Sequence, residues 1–271
     1  MSETEKGMTM SQQASALIAV RDLTVGYGSF ILMKSISFEV HTGEICFITG
    51  GSGCGKSTLL KVLMGLKSPQ KGQVLYDNED FWAADSSTRQ TIKRNTGVLF
   101  QSGALWSSMT LAENVALPLQ QYTDLPAAQI AELASLKLAL TGLAGFEDYY
   151  PSEISGGMRK RAGLARALAL DPAILFLDEP SAGLDPVSSR HLDDLILELR
   201  DTLNTTFMIV SHELDSIFAI ADKIIFLDNQ TRTIQAQGDP RRLKEDPATA
   251  LCALDFLTRG AAGKNAVQEN R

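Results

Sequence analysis

No stretch of this chain approaches the roughly 18 consecutive apolar residues that a membrane-crossing helix demands. The opening, Met1 to Ala16, is polar and mixed in charge and lacks the apolar core of a secretory signal, so the expectation is a protein that stays in the cytoplasm. Cysteine is scarce: Cys46, Cys54 and Cys252 are scattered, with no C-x-x-C pair and no histidine nearby. That spacing argues against a disulfide framework or a zinc site and suits a reducing compartment. Excess positive charge is missing too. A net charge of −7 is a poor footprint for nucleic acid, and no nucleic-acid partner is expected. Internal repeats, low-complexity blocks and heptad runs are likewise absent. With 271 residues, 44% of them hydrophobic, the chain can build one sizeable globular domain or a domain plus a subdomain.

What the chain does contain is an ungapped G-x-x-x-x-G-K-[ST] run: Gly50-Gly51-Ser52-Gly53-Cys54-Gly55-Lys56-Ser57, followed by Thr58. Each position has a task at a nucleoside triphosphate. The glycines let backbone N–H groups turn inward around phosphates, Lys56 reaches the β and γ oxygens, and Ser57 can ligate Mg²⁺. A chance glycine-rich turn would not need the flanks seen here. Glu44–Thr49 is an apolar run suited to a buried strand, and Lys56–Leu66 reads as the helix whose N-terminus receives the phosphates. Cys54 inside the loop is either a thiol activated by that N-terminus or a small buried residue with an inert sulfur.

Strand-like composition marks Leu17–Gly28, Phe38–Val40, Gln73–Tyr76 and Gly97–Phe100, which predict a β-rich layer at the adenine end. Helices are predicted over Leu111–Leu119, Ala127–Leu140 and Met158–Ala169. Three short apolar runs follow: Ala173–Leu177, Thr206–Val210 and Lys223–Leu227. They lack alternation and have helical segments between them, the pattern of parallel strands covered on both faces. The run to Leu177 ends in Asp178-Glu179. Beside a phosphate loop, Asp178 is placed to hold the Mg²⁺ that Ser57 ligates, and Glu179 to act as the base toward attacking water.

Ser155-Gly156-Gly157 opens a helix between the two phosphate motifs, Ser181-Ala182-Gly183-Leu184-Asp185 follows the Asp-Glu pair, and His212 closes the next strand. This ordered set resembles the ATP-binding-cassette ATPases, from roughly Leu17 to Gly238. The resemblance implies an α/β fold with a RecA-like parallel-sheet core, an antiparallel β layer and an inserted helical subdomain at about 102–169. The cassette would occupy residues 17–257, between flexible tails at 1–16 and 258–271. It implies ATP and Mg²⁺, and a head-to-tail homodimer in which Ser155, Gly156 and Gly157 of one subunit face the ATP held by Lys56 of the other. Asp185 would cross that interface. Tyr27 matches the aromatic that stacks on adenine, with a buried strand tyrosine as the alternative. Gln101 matches the glutamine that reaches Mg²⁺ or the attacking water, and His212 the histidine that contacts the γ-phosphate. Ile154 and Met158 depart from the family's usual leucine and glutamine.

A single cassette with no coiled-coil insertion and acidic charge is read as a transporter's energy-coupling subunit, docked on the cytoplasmic face of the inner membrane to a separate permease. The segment Phe100–Thr110, with Glu113-Asn114-Val115-Ala116-Leu117-Pro118-Leu119, resembles the cassettes of bacterial lipid-transport systems that work with periplasmic MCE-type lipid-binding proteins. Leu105, Trp106 and Met109 either meet the permease or pack the helical subdomain. A cassette for another cargo, and a cell-division or envelope regulator that moves no cargo, stay open as alternatives.

Overall fold

The computed structural model describes residues 16–265, from 259 onward as backbone only. Strands β1 (Ala16–Tyr27) and β2 (Phe30–His41) form a long antiparallel hairpin in which Tyr27 pairs with Phe30. Then come β3 (Ile45–Gly50), the phosphate loop and α1 (Lys56–Leu63). Strands β4 (Lys71–Tyr76) and β5 (Glu79–Asp80) complete a four-stranded antiparallel sheet ordered β2-β1-β4-β5. Helix α2 (Ser86–Arg94) leads into β6 (Thr96–Leu99). Three helices follow: α3 (Leu111–Tyr122), α4 (Ala127–Leu140) and α5 (Gly156–Ala167). The chain then alternates through β7 (Ile174–Asp178), α6 (Pro186–Leu203), β8 (Thr206–Val210), α7 (Leu214–Ile220) and β9 (Lys223–Leu227). It ends with β10 (Ile234–Gly238), α8 (Pro240–Glu245) and α9 (Leu251–Asn265).

The second sheet has the order β10-β9-β3-β8-β7-β6, parallel throughout except for β10. Period-two alternation divides its side chains between two cores. Cys46, Ile48, Phe176 and Met208 face α1 and the antiparallel sheet, whereas Ile45, Phe47, Leu175 and Phe207 face α6 and α7. Every residue of β3 is therefore buried, which is why these strands read as unbroken apolar runs. The helices between β6 and β7 bury their own cluster, including Leu111, Val115, Leu138 and Ala162. Helix α3 starts at a capping box in which Thr110 and Glu113 satisfy each other's backbone N–H.

Two expectations need correction. Gly97–Phe100 joins the parallel core beside β7 and not the antiparallel layer. Gly97 lies so close beneath α5 that a side chain there would start 2.2 Å from the Ala167 carbonyl, so helix packing fixes this strand in the core sheet. The tail expected from 258 onward also differs, since the backbone of α9 continues through Thr258 to Asn265. Ala253 and Leu257, both fully buried, anchor that helix. The tail expected at 1–16 lies, apart from Ala16 in β1, outside the described residues, as do 266–271.

Candidate functional site

The phosphate loop leaves β3 through Gly50, at φ 142°, where a Cβ would sit 2.1 Å from the Leu227 carbonyl oxygen. Glycine alone fits there. The loop enters α1 through Gly55, at φ 101°, and no side chain caps the helix. The first-turn N–H groups of α1, which include those of Ser57 and Thr58, are thus left for an anion. Lys56 Nζ arches back over the loop and donates to Gly50 O at 3.0 Å and Gly51 O at 3.2 Å. Ser52 and the loop glycines on either side of it, Gly51 and Gly53, lie at the surface. Cys54 is the exception, a buried residue of the antiparallel-side core. Burial pushes its thiol pKa up, against the lowering pull of the Lys56 charge. Of the two sequence readings, the inert buried sulfur fits and the activated thiol does not.

Beneath the loop, Ser57 Oγ donates to Asp178 Oδ1 at 3.1 Å, which brings together the two oxygens expected at Mg²⁺. Glu179 follows with its backbone in the left-handed region, at φ 49°, its N–H held by Val210 O at 2.8 Å. Its Oε1 lies 3.0 Å from His212 Nδ1, while its Oε2 is buried without a hydrogen-bond partner. Gln101 is exposed at the end of β6, and its backbone carbonyl accepts from Lys160 Nζ. The same ammonium reaches Glu179 O at 3.2 Å. Lys160 escaped the sequence reading. The available signal was its register, because it shares a helix face with Gly163 and Ala167, small residues that mark a buried side.

Ser155 N-caps α5, its Oγ accepting from Met158 N at 3.2 Å, and Gly156 and Gly157 form the first turn. Gly157 lies beside Ser188 and Leu184. Asp185 caps α6, accepting from Val187 N and Ser188 N at 3.0 Å each. The Ser188 hydroxyl, which donates to Asp185 Oδ2 at 2.5 Å, and then these backbone hydrogen bonds hold its carboxyl below the usual aspartate range. Tyr27 is exposed at the hairpin end, with Lys67 Nζ 3.9 Å above its ring, so the buried-tyrosine alternative falls away.

These residues fit a magnesium nucleotide. Nothing lies within 4 Å of where side chains at Gly51 or Gly53 would begin, so the loop surface is open to phosphate. A hydroxyl and a carboxylate are the hard oxygen donors that Mg²⁺ takes. The unpartnered Glu179 Oε2 is an acceptor with nothing yet to accept.

Residues 33–182 match the ABC transporter family. The phospholipid transport ATP-binding protein MlaF of Escherichia coli K12 is 39% identical over 86% of this chain and 89% of its own length. The probable ribonucleotide transport ATP-binding protein mkl of Mycobacterium tuberculosis H37Rv is 42% identical over 76% of this chain and 58% of its own. Among solved structures, the dimeric bacterial ABC transporter cassette MJ0796 superposes with a TM-score of 0.74 at 28% identity, covering 82% of this chain and 98% of that one. CbiO1 of Clostridium perfringens, part of an ABC transporter complex, gives 0.79 at 25% identity over 94% and 99%. With a family match across more than half of the sequence and relatives aligned along most of it, the chain belongs to the ABC transporter family and is an ABC-type ATPase.

Proposed function

We propose that this chain is the ATP-hydrolysing, energy-coupling subunit of a transporter that moves phospholipid between the inner membrane and periplasmic MCE-type proteins. The observation that carries the hydrolytic part is the pairing of Ser57 with Asp178 directly beside the Glu179–His212 contact. Residues 17–257 form the cassette, and the helices within 102–169 form the subdomain that carries Ser155. Lys56 binds the β and γ oxygens, and Ser57, Asp178 and Gln101 would hold a Mg²⁺, which would supply neutralisation of charge on the phosphate oxygens. Glu179 takes a proton from water as the water oxygen bonds to the γ-phosphorus and the bond to the bridging oxygen breaks, releasing ADP and phosphate. His212 orients the Glu179 carboxylate through Oε1 and contacts the γ-phosphate, and Tyr27 stacks on adenine. Ser155, Gly156, Gly157 and Asp185 complete the site of a second copy, in line with the dimeric form of MJ0796.

Permease docking is supported by the surface near Gln101. Trp106 is 62% exposed, and Phe100, Ala104, Pro118 and Tyr122 line a cavity of about 400 Å³. Leu105 instead packs against the helical core. No helix among the described residues is long and apolar enough to cross a membrane. Attachment at the cytoplasmic face of the inner membrane through a permease follows from this reading.

Cargo rests on the relatives. MlaF proteins of Escherichia coli and Haemophilus influenzae are named for intermembrane phospholipid transport. The mkl similarity makes ribonucleotide the second reading. The test is ATP-driven movement of labelled phospholipid in proteoliposomes holding the cassette and its co-purified permease. Phospholipid movement that stops in Lys56→Ala supports the proposal. Ribonucleotide uptake without lipid movement, or ATP turnover without cargo, overturns it.

A further inference from the structure

Helix α5 serves two places at once. Its N-terminal end presents the N-cap Ser155 with Gly156 and Gly157, while its buried side holds the backbone that follows β6. Gly163 allows that contact to be close, since a Cβ there would lie 2.7 Å from Leu99 and 3.1 Å from Gly103 O. Arg166 donates to Gly103 O at 2.9 Å and Ala104 O at 2.7 Å. Lys160 donates to Gln101 O and also crosses to Glu179 O.

Lys160 is only 6% exposed, and burying an ammonium group is costly unless charge or hydrogen bonds compensate. Here two backbone carbonyls accept from it, in charge-assisted hydrogen bonds that are stronger than neutral ones. Burial draws its pKa down, opposed by the negative charges of Glu179, Glu213 and Asp178. Glu179 needs such a hold. Its left-handed backbone is unfavourable for a residue with a Cβ and persists only where the surroundings enforce it.

We propose that Lys160 is a positioning residue for ATP hydrolysis. Its ammonium group fixes the carbonyl ends of Gln101 and Glu179 and so sets both side chains against the γ-phosphate on the phosphate loop. The proposal rests on the reading of Glu179 as the base.

Methionine approximates the lysine stem without its ammonium donors, whereas glutamine keeps N–H donors on a shorter stem. In the assembled transporter, Lys160→Met is expected to lower kcat about ten- to thirty-fold while the KM for ATP stays within about two-fold. Lys160→Gln should fall between Met and wild type, and it serves if the Met variant does not fold. Combining Lys160→Met with Gln101→Ala should cost less than the product of the two single losses, because both act on the same placement. Turnover within about two-fold of wild type in Lys160→Met, a loss confined to KM, or multiplicative losses would each overturn the role. Glu179→Gln is measured alongside. Wild-type turnover in that variant sinks the base assignment whatever Lys160 does. An inert Glu179→Gln beside an unaffected Lys160→Met sinks the positioning role alone.

Discussion

At Glu179 the two carboxylate oxygens have different surroundings: Oε1 is shared with His212, and Oε2 is buried without a partner. Replacing the carboxylate by an amide keeps the shape and removes the proton acceptor. Glu179→Gln should therefore bind ATP normally and lose at least about a hundred-fold in turnover. Nucleotide titration and phosphate release check the two halves separately, and turnover near wild type would refute the assignment. Cys54 carries a second prediction at this scale. Its buried thiol stays protonated near neutral pH, whereas Cys252 is exposed. A short maleimide pulse at pH 7.5 should label Cys252 at least about ten times faster than Cys54, read by peptide mass spectrometry. Equal labelling would mean that the loop thiol is activated after all.

Between α6 and α7, Asp193 is buried and its Oδ2 accepts from Ser216 Oγ at 2.8 Å. Desolvation raises its pKa from 3.8 to about 6, with Glu213 and Asp194 adding to the rise. The folded chain thus keeps this proton to higher pH than the unfolded chain does. Between the unfolded pKa of 3.8 and about 6 the native state loses stability as pH rises, and above that the full penalty remains. Asp193→Asn retains an oxygen for Ser216 and removes the charge. It should stabilise the protein at pH 7.5 by about 1–2 kcal/mol and make almost no difference near pH 3, below the unfolded pKa, measured by chemical denaturation. A variant destabilised at both pH values would show that the carboxylate itself holds the helices together. Legibility in the sequence also divides by element. The phosphate loop and strands β7, β8 and β9 were readable because each is a contiguous run whose residue types follow from local demands. The sheet to which β6 belongs was not, because four residues with a glycine among them carry no pairing information, and only the distant β7 decides their neighbour. Lys160 was hidden for a related reason. Its partners, the carbonyls of Gln101 and Glu179, lie 59 and 19 positions away in the chain.

At the scale of the whole molecule, Ser155 and Gly156 lie at the surface, with Gly157 partly covered beside Leu184 and Ser188. If a complete site needs Lys56 from one copy and Ser155 from another, two differently damaged chains should complement each other. Lys56→Ala and Ser155→Arg subunits should each be nearly inactive alone. Mixed, they form one intact site in each heterodimer and should recover on the order of a quarter of wild-type turnover, because half of the dimers are mixed and each has one working site. No recovery, in dimers shown by mass spectrometry to be mixed, would contradict a shared site that can work singly. Full activity in a wild-type chain shown to be monomeric would contradict sharing altogether.

The exposure of Trp106 has an optical consequence. The chain has two tryptophans, and Trp82 is partly buried, edge-on to Phe81 at a centroid distance of 5.1 Å. An indole in water emits at longer wavelength and is open to collisional quenchers, so iodide should extinguish the Trp106 component first. Covering Trp106 with an apolar helix would shift its emission to the blue and shield it from iodide, while Trp82 stays constant. The cassette therefore carries an intrinsic fluorophore at the place where its membrane partner is expected to arrive, and Trp82→Phe would isolate that signal without any label.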